Sequence, residues 1–270
     1  MNWLSLRLRA YGAITYISSL SRTAFAGSLI MNGLLVALFI WIHKQLYTAT
    51  FLSTKTQLIG GLSLTEVIWL LMFIQSFERA TWPNPISMID AEIKTGAISY
   101  ALQRPYSYMV YHLFCFFGRI LATLTGNLFF GIIIVFFLVG ALPVTVYGLM
   151  GGLMAIILGY ILDFLFFFMF GLMGFWVEDV KPFMWLYSKT KLIFGGVIVP
   201  IAFFPAYIQK IVLLLPFANL YYTASRIIVQ FDPWLLMRCL GVQLFWIVVL
   251  GSCAYALFAR GVRYVTISGG

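Results

Sequence analysis

Residues 92–105 read EIKTGAISYALQRP, from Glu92 to Pro105, and stand as a polar-striped segment between apolar runs long enough to cross a membrane. At helical spacing Thr95, Ser99 and Gln103 fall at i, i+4 and i+8 along one stripe, while Ile93, Ala97, Ala101 and Leu102 spread over the opposite half. Such a helix is built to lie across another surface. An ordinary connector resting on lipid headgroups is one reading; a helix that fits a groove on a soluble partner is the other.

The composition around it excludes a soluble protein. With 63% hydrophobic and 9% charged residues over 270 positions, the chain carries more apolar surface than its own core could hide. The 17 basic against 8 acidic residues give a net charge of +9, which in a membrane protein reflects Lys and Arg gathered on cytoplasmic loops beside anionic lipids rather than nucleic-acid binding. Cys115, Cys239 and Cys253 lie inside apolar runs without paired spacing, and His43 and His112 stand alone near span ends. These patterns support neither a disulfide framework nor a metal site. Ala24-Phe25-Ala26 resembles a signal cleavage site after Arg7 and Arg9, but the preceding Tyr11–Leu20 stretch carries Thr15, Ser18 and Ser19. The N-terminus is therefore expected to be retained.

A span needs roughly 20 helical residues. The expected order is a short interfacial helix over 1–22, spans over 23–46 and 58–77, the polar helix over 90–105, and further spans over 107–139, 144–176, 183–203 and 234–258. Pro83 and Pro85 open the polar region, and Gly140–Pro143 makes a tight turn. Residues 204–232 hold an apolar piece, Ile211–Leu215, too short to span and closed by Pro216, which predicts a re-entrant or interfacial region. This is an all-α membrane protein forming one domain. With the N-terminus inside, Arg7, Arg9, Arg22, Arg79, Lys94, Arg104, Lys181, Lys189, Lys191, Arg260 and Arg263 lie inside and Lys44, Lys55, Lys210, Arg226 and Arg238 outside, eleven against five. That bias predicts both termini, and Glu92–Pro105, in the cytoplasm.

Six spans, the EIKTGAISYALQRP helix between the second and third, and a late GGVIVPIAFFP followed by LLLPF resemble an ABC type-2 exporter permease, the type V ABC transporter fold. The resemblance implies that the polar helix is the coupling helix, seated on an ATP-binding subunit through Glu92, Ile93, Lys94, Gly96, Ala97, Ile98, Leu102, Arg104 and Pro105. It implies an outer gate at Pro200, Phe204, Pro205, Pro216 and Phe217. It also implies two ATP-binding subunits, a second permease, identical or homologous, and a prokaryotic inner membrane. The chain has no G-x-x-x-x-G-K-[ST] loop, so ATP and Mg²⁺ are expected on the partner and no cofactor in this chain.

Glu66, Arg119 and Asp163 are ionisable residues inside expected spans, where charge is costly and points to function. Counted from the expected cytoplasmic ends they fall at similar depth, roughly 17 to 20 Å along their helices. The expectation is an Arg119–Asp163 pair, with Glu66 nearby, serving either folding or transport. Gly148 and Gly152 make a G-x-x-x-G that permits close helix packing. Other classes remain open: a secondary transporter or channel, though no internal repeat is found, and a lipid-modifying enzyme, though clustered His, Asp and Glu are scarce. No arrangement of nucleophile and base suggests covalent catalysis.

Overall fold

The computed structural model describes residues 3–23, 26–82, 84–141 and 144–268, all in helices and their connections. The expected turn residues Pro83 and Pro143 and the Ala24-Phe25 pair lie outside the described residues, as do the side chains of Leu4, Arg7, Leu8 and Arg22. The helices are α1 (Trp3–Thr23), α2 (Ala26–Thr54), α3 (Leu64–Arg79), α4 (Ile86–Lys94), α5 (Ile98–Leu102), α6 (Tyr108–Val139), α7 (Val146–Leu172), α8 (Lys181–Phe194), α9 (Ala206–Val212), α10 (Tyr222–Val229) and α11 (Pro233–Ser268).

Among the described residues four helical stretches are long and apolar enough to cross a membrane: Ile30–Thr54, Tyr108–Val139, Val146–Phe175 and Pro233–Arg263. Their outward faces are apolar, with Leu34, Leu38, Phe129, Phe137, Met150, Leu153, Phe245 and Val248 all exposed. In water such faces would drive aggregation; in hydrocarbon they are the solvated surface. The centre of the bundle is α3, where every residue from Val67 to Phe77 is buried. A helix hydrophobic on all sides belongs inside other helices, and α3 packs against α2, α6 and α10. α1 lies against α6, where Tyr11 stacks on Phe114 at 4.8 Å and Gly118 leaves room for the α1 backbone at Thr15.

Between α8 and α11 the chain enters the bundle and leaves by the same end. The turn Ile201–Phe203 sits beside α2, with Phe203 against Tyr47 at 5.4 Å. The chain then descends through α9 to Leu220, whose carbonyl lies against Gly159 near the middle of α7. From there α10 climbs back along Gly152 and Gly148 to Gln230, which donates to Gly61 O at 3.1 Å. The G-x-x-x-G pair thus forms the bare groove in which α10 lies, continued by Gly159 at the deepest point. Buried amides fasten the fold-back: Asn219 Nδ2 donates to Leu213 O and Leu215 O, and Gln243 Nε2 on α11 donates to Ala155 O at 2.8 Å and Asn219 O at 2.7 Å. The Leu213, Leu215 and Asn219 carbonyls in the irregular backbone are thereby satisfied, as a water-free interior demands.

Candidate functional site

The segment read as one helix is two. α4 ends at Lys94, Gly96 adopts φ +74, and α5 begins at Ile98. The left-handed turn is one that only glycine enters without strain, so the chain kinks there and the stripe Thr95, Ser99, Gln103 is broken. Ile89 and Ile98 are buried beneath, while Lys94, Thr95, Gly96, Ala97, Tyr100, Gln103, Arg104 and Pro105 face outward. The two short helices form an elbow across one end of the bundle.

Three contacts hold that elbow. Glu92 Oε2 accepts from Tyr108 Oη at 2.6 Å and lies 3.1 Å from His112 Nε2, both on the first turns of α6. His112 is fully buried and its Nδ1 has no partner among the described residues, so the tautomer that suits the site carries its proton on Nε2, toward Glu92. Burial opposes ionisation of Glu92, but the bonds from His112 and Tyr108 outweigh it and hold its carboxyl below the usual range. Second, Lys94 Nζ bonds Asp90 Oδ2 at 2.7 Å and Glu178 O at 2.6 Å, tying α4 to the loop before α8. Third, Ile89 fills the space left by Gly171 at the end of α7. The elbow is thus fastened to α6, α7 and the loop before α8. Beside it Glu92, Ala97, Tyr100, Arg104, Tyr106 and Tyr111 are among the residues lining a cleft of about 240 Å³. Arg104 donates to Tyr106 Oη at 2.7 Å with its guanidinium in solvent.

The sequence of residues 34–269 matches the family model described as ABC-2 family transporter protein. The chain belongs to the ABC-2 transporter family. A search of curated proteins found no match. Membership makes the protein a multi-pass membrane permease component, and the apolar helices agree with it. The fold-back between α8 and α11 and the elbow between α3 and α6 are therefore parts of a transport domain.

The ionisable residues sit differently from the expected arrangement. Asp163 pairs with Lys191, not with Arg119: the Lys191 ammonium lies 3.3 Å from its Oδ2, and Tyr187 and Tyr221 both donate to the carboxylate. The reason is rotation rather than depth, since Asp163 faces α8 and the fold-back while α6 meets another side of α7. Lys191, counted above among the inside charges, is buried at 2% exposure. Glu66 is not deep along its helix. It occupies the third position of α3, in a reciprocal capping box with Ser63, and accepts from Gln230 at 2.5 Å. Eleven residues before Phe77 is the first turn of so short a helix. Of the residues expected at an outer gate, Pro200 and Pro205 flank the turn Ile201–Phe203, Phe204 lies between them, and Pro216 and Phe217 lie near the deepest point of the fold-back. Phe217 packs on Phe166 at 5.4 Å and on Tyr187 at 6.2 Å. Sequence reasoning missed Lys191, Tyr187 and Tyr221, although Tyr187 and Lys191 stand at i and i+4, a spacing that puts both on one helical stripe.

Proposed function

We propose that the chain is the permease subunit of an ATP-driven exporter, working as a dimer with an identical or homologous permease and coupled to two ATP-binding subunits that carry ATP and Mg²⁺. The observation that carries the reading is the elbow α4–Gly96–α5, outward-facing yet fastened to α6, α7 and the loop before α8. Closure of the ATP-binding subunits would push on Lys94–Pro105 and turn those helices as rigid bodies, opening a path between the two permeases. Removing Lys191 from the inside set leaves ten basic residues against five, still favouring the elbow in the cytoplasm of a prokaryotic inner membrane.

In this reading α3 and α8 complete six spans. Their 16 and 14 residues make them shorter than the other four, about 24 and 21 Å of helix. Burial of α3 among α2, α6 and α10 relieves it of matching the bilayer by itself. The fold-back is then the re-entrant outer gate. Irregular backbone at that depth is tolerated because protein, not lipid, surrounds it. The test is purification of the full chain from native membranes in mild detergent, with mass spectrometry of what accompanies it. A subunit bearing a G-x-x-x-x-G-K-[ST] loop, in equal number to the permease, is expected; a permease that runs alone, with no such subunit under any mild extraction, overturns the proposal.

A further inference from the structure

The permease reading does not use the Asp163 cluster. Four side chains from three places in the chain meet there: Asp163 in the middle of α7, Tyr187 and Lys191 on α8, and Tyr221 at the base of the fold-back. All are essentially shielded from solvent. The carboxylate takes Tyr187, Tyr221 and Lys191 as donors, and the ammonium also lies 3.3 Å from Tyr221 Oη. The ammonium is boxed by rings, 4.9 Å from the centroid of Phe167, 5.2 Å from Tyr187 and 5.4 Å from Tyr221. These faces stabilise a cation that water cannot reach.

Two facts set this cluster apart from a merely tolerated ion pair. A buried pair stabilises a fold little compared with apolar residues of the same size, so its presence points to specificity rather than stability. And Tyr221 lies at the turning point of the fold-back, where the descending arm ends at Leu220 and α10 begins at Tyr222. Above it the fold-back is held by apolar contacts and, at the end of α10, by Gln230 on Gly61 O and on the Glu66 carboxylate. A charged, directional anchor with three donors has one geometry and is either made or broken.

We propose that Asp163, Lys191, Tyr187 and Tyr221 form a latch that holds the base of the fold-back closed against α7 and α8, and that its release lets water reach the interior from the outer side. These are positioning residues: they set where the fold-back sits. The purpose rests on the permease reading, but the test does not, because it needs no ATP-binding subunit.

The test uses the full chain in membrane vesicles, with Cys115, Cys239 and Cys253 replaced by serine or alanine and a single reporter cysteine at Ala218, which is fully buried beside the turning point. A membrane-impermeant maleimide is added from the outer side. Lys191→Met and Tyr221→Phe each remove donors to the carboxylate, and the labelling rate of folded protein is expected to rise roughly tenfold or more, the shift that loss of one charge-assisted hydrogen bond imposes on an opening equilibrium. Asp163→Asn with Lys191→Met removes both charges at once, so no unpaired charge is left to unfold the protein. That double variant is expected to keep the melting temperature of the parent while labelling faster. A parent-like melting temperature with parent-like labelling in the double variant and in Tyr221→Phe would overturn the latch. A purely structural cluster would lower the melting temperature without changing the labelling of the folded fraction, and that result overturns it equally.

Discussion

Replacing Glu92 by alanine should loosen the elbow from α6. The side chain is 23% exposed and takes two bonds on one oxygen, from Tyr108 at 2.6 Å and His112 at 3.1 Å. Bonds to a charged acceptor are worth about 1.5 to 3 kcal/mol each, and partial exposure argues for the lower end. Together they amount to about 3 kcal/mol, since the alanine variant also strands a buried tyrosine hydroxyl and a buried imidazole. Glu92→Gln keeps an acceptor of the same shape and loses only the charge, roughly 1 kcal/mol. Hydrogen–deuterium exchange of the α4 amides reads this directly, because those amides open with the elbow. At about 1.4 kcal/mol per tenfold, the alanine variant should exchange roughly 100-fold faster and the glutamine variant about fivefold. Amides of α3, buried through the centre, serve as the internal reference and should not change. Exchange in Glu92→Ala within twofold of the parent would refute the anchoring argument.

Other consequences follow from the same geometry. Because the Glu92 carboxyl is held below its ordinary value, its contribution to the elbow is fully present above that ordinary value of 4.5 and fades as pH falls through the lowered one. A pH titration of α4 exchange, corrected for intrinsic rates, should thus show a loss of protection that starts only below about pH 4.5 and is absent in Glu92→Gln. Gly159→Ala would drive a methyl group into the Leu220 carbonyl and should cost about 1 to 3 kcal/mol by overpacking, whereas Gly126→Ala on α6, with open space around it, should leave thermal unfolding unchanged or slightly raised. Gly96→Ala meets no neighbouring atom, so it should destabilise the elbow through its φ of +74 alone, by about 1 kcal/mol, and Gly96→Asn should cost less.

The long helices were legible because hydropathy responds to length. α6 and α7 are apolar on the faces they turn to lipid and to each other, so no rotational information was needed to find them. The elbow was harder to read. A helical wheel carried through Gly96 assumes the backbone continuity that its positive φ removes. Depth along a helix placed Asp163 correctly within α7 but could not give the direction its side chain faces, and that direction selects Lys191 over Arg119. Lys191 itself counts in the sequence only as one more inside charge, because nothing local shows that Phe167, Tyr187 and Tyr221 would box its ammonium. Gly148 and Gly152 signal close packing without showing what packs there. The meaning of the pair depends on α10, about 70 residues away along the chain, arriving to fill the groove.

Site-specific photo-crosslinking tests most directly whether the elbow is the seat of an ATP-binding subunit. Tyr100 on α5 is 75% exposed, and Trp234 at the opposite end of the bundle is 79% exposed. A photoreactive residue at Tyr100 in native membranes should give a covalent adduct containing a subunit with a G-x-x-x-x-G-K-[ST] loop, lost when Arg104→Glu is added, while the same residue at Trp234 should give none. An ATP-binding adduct from Trp234 and not from Tyr100, or equal adducts from both, would contradict it.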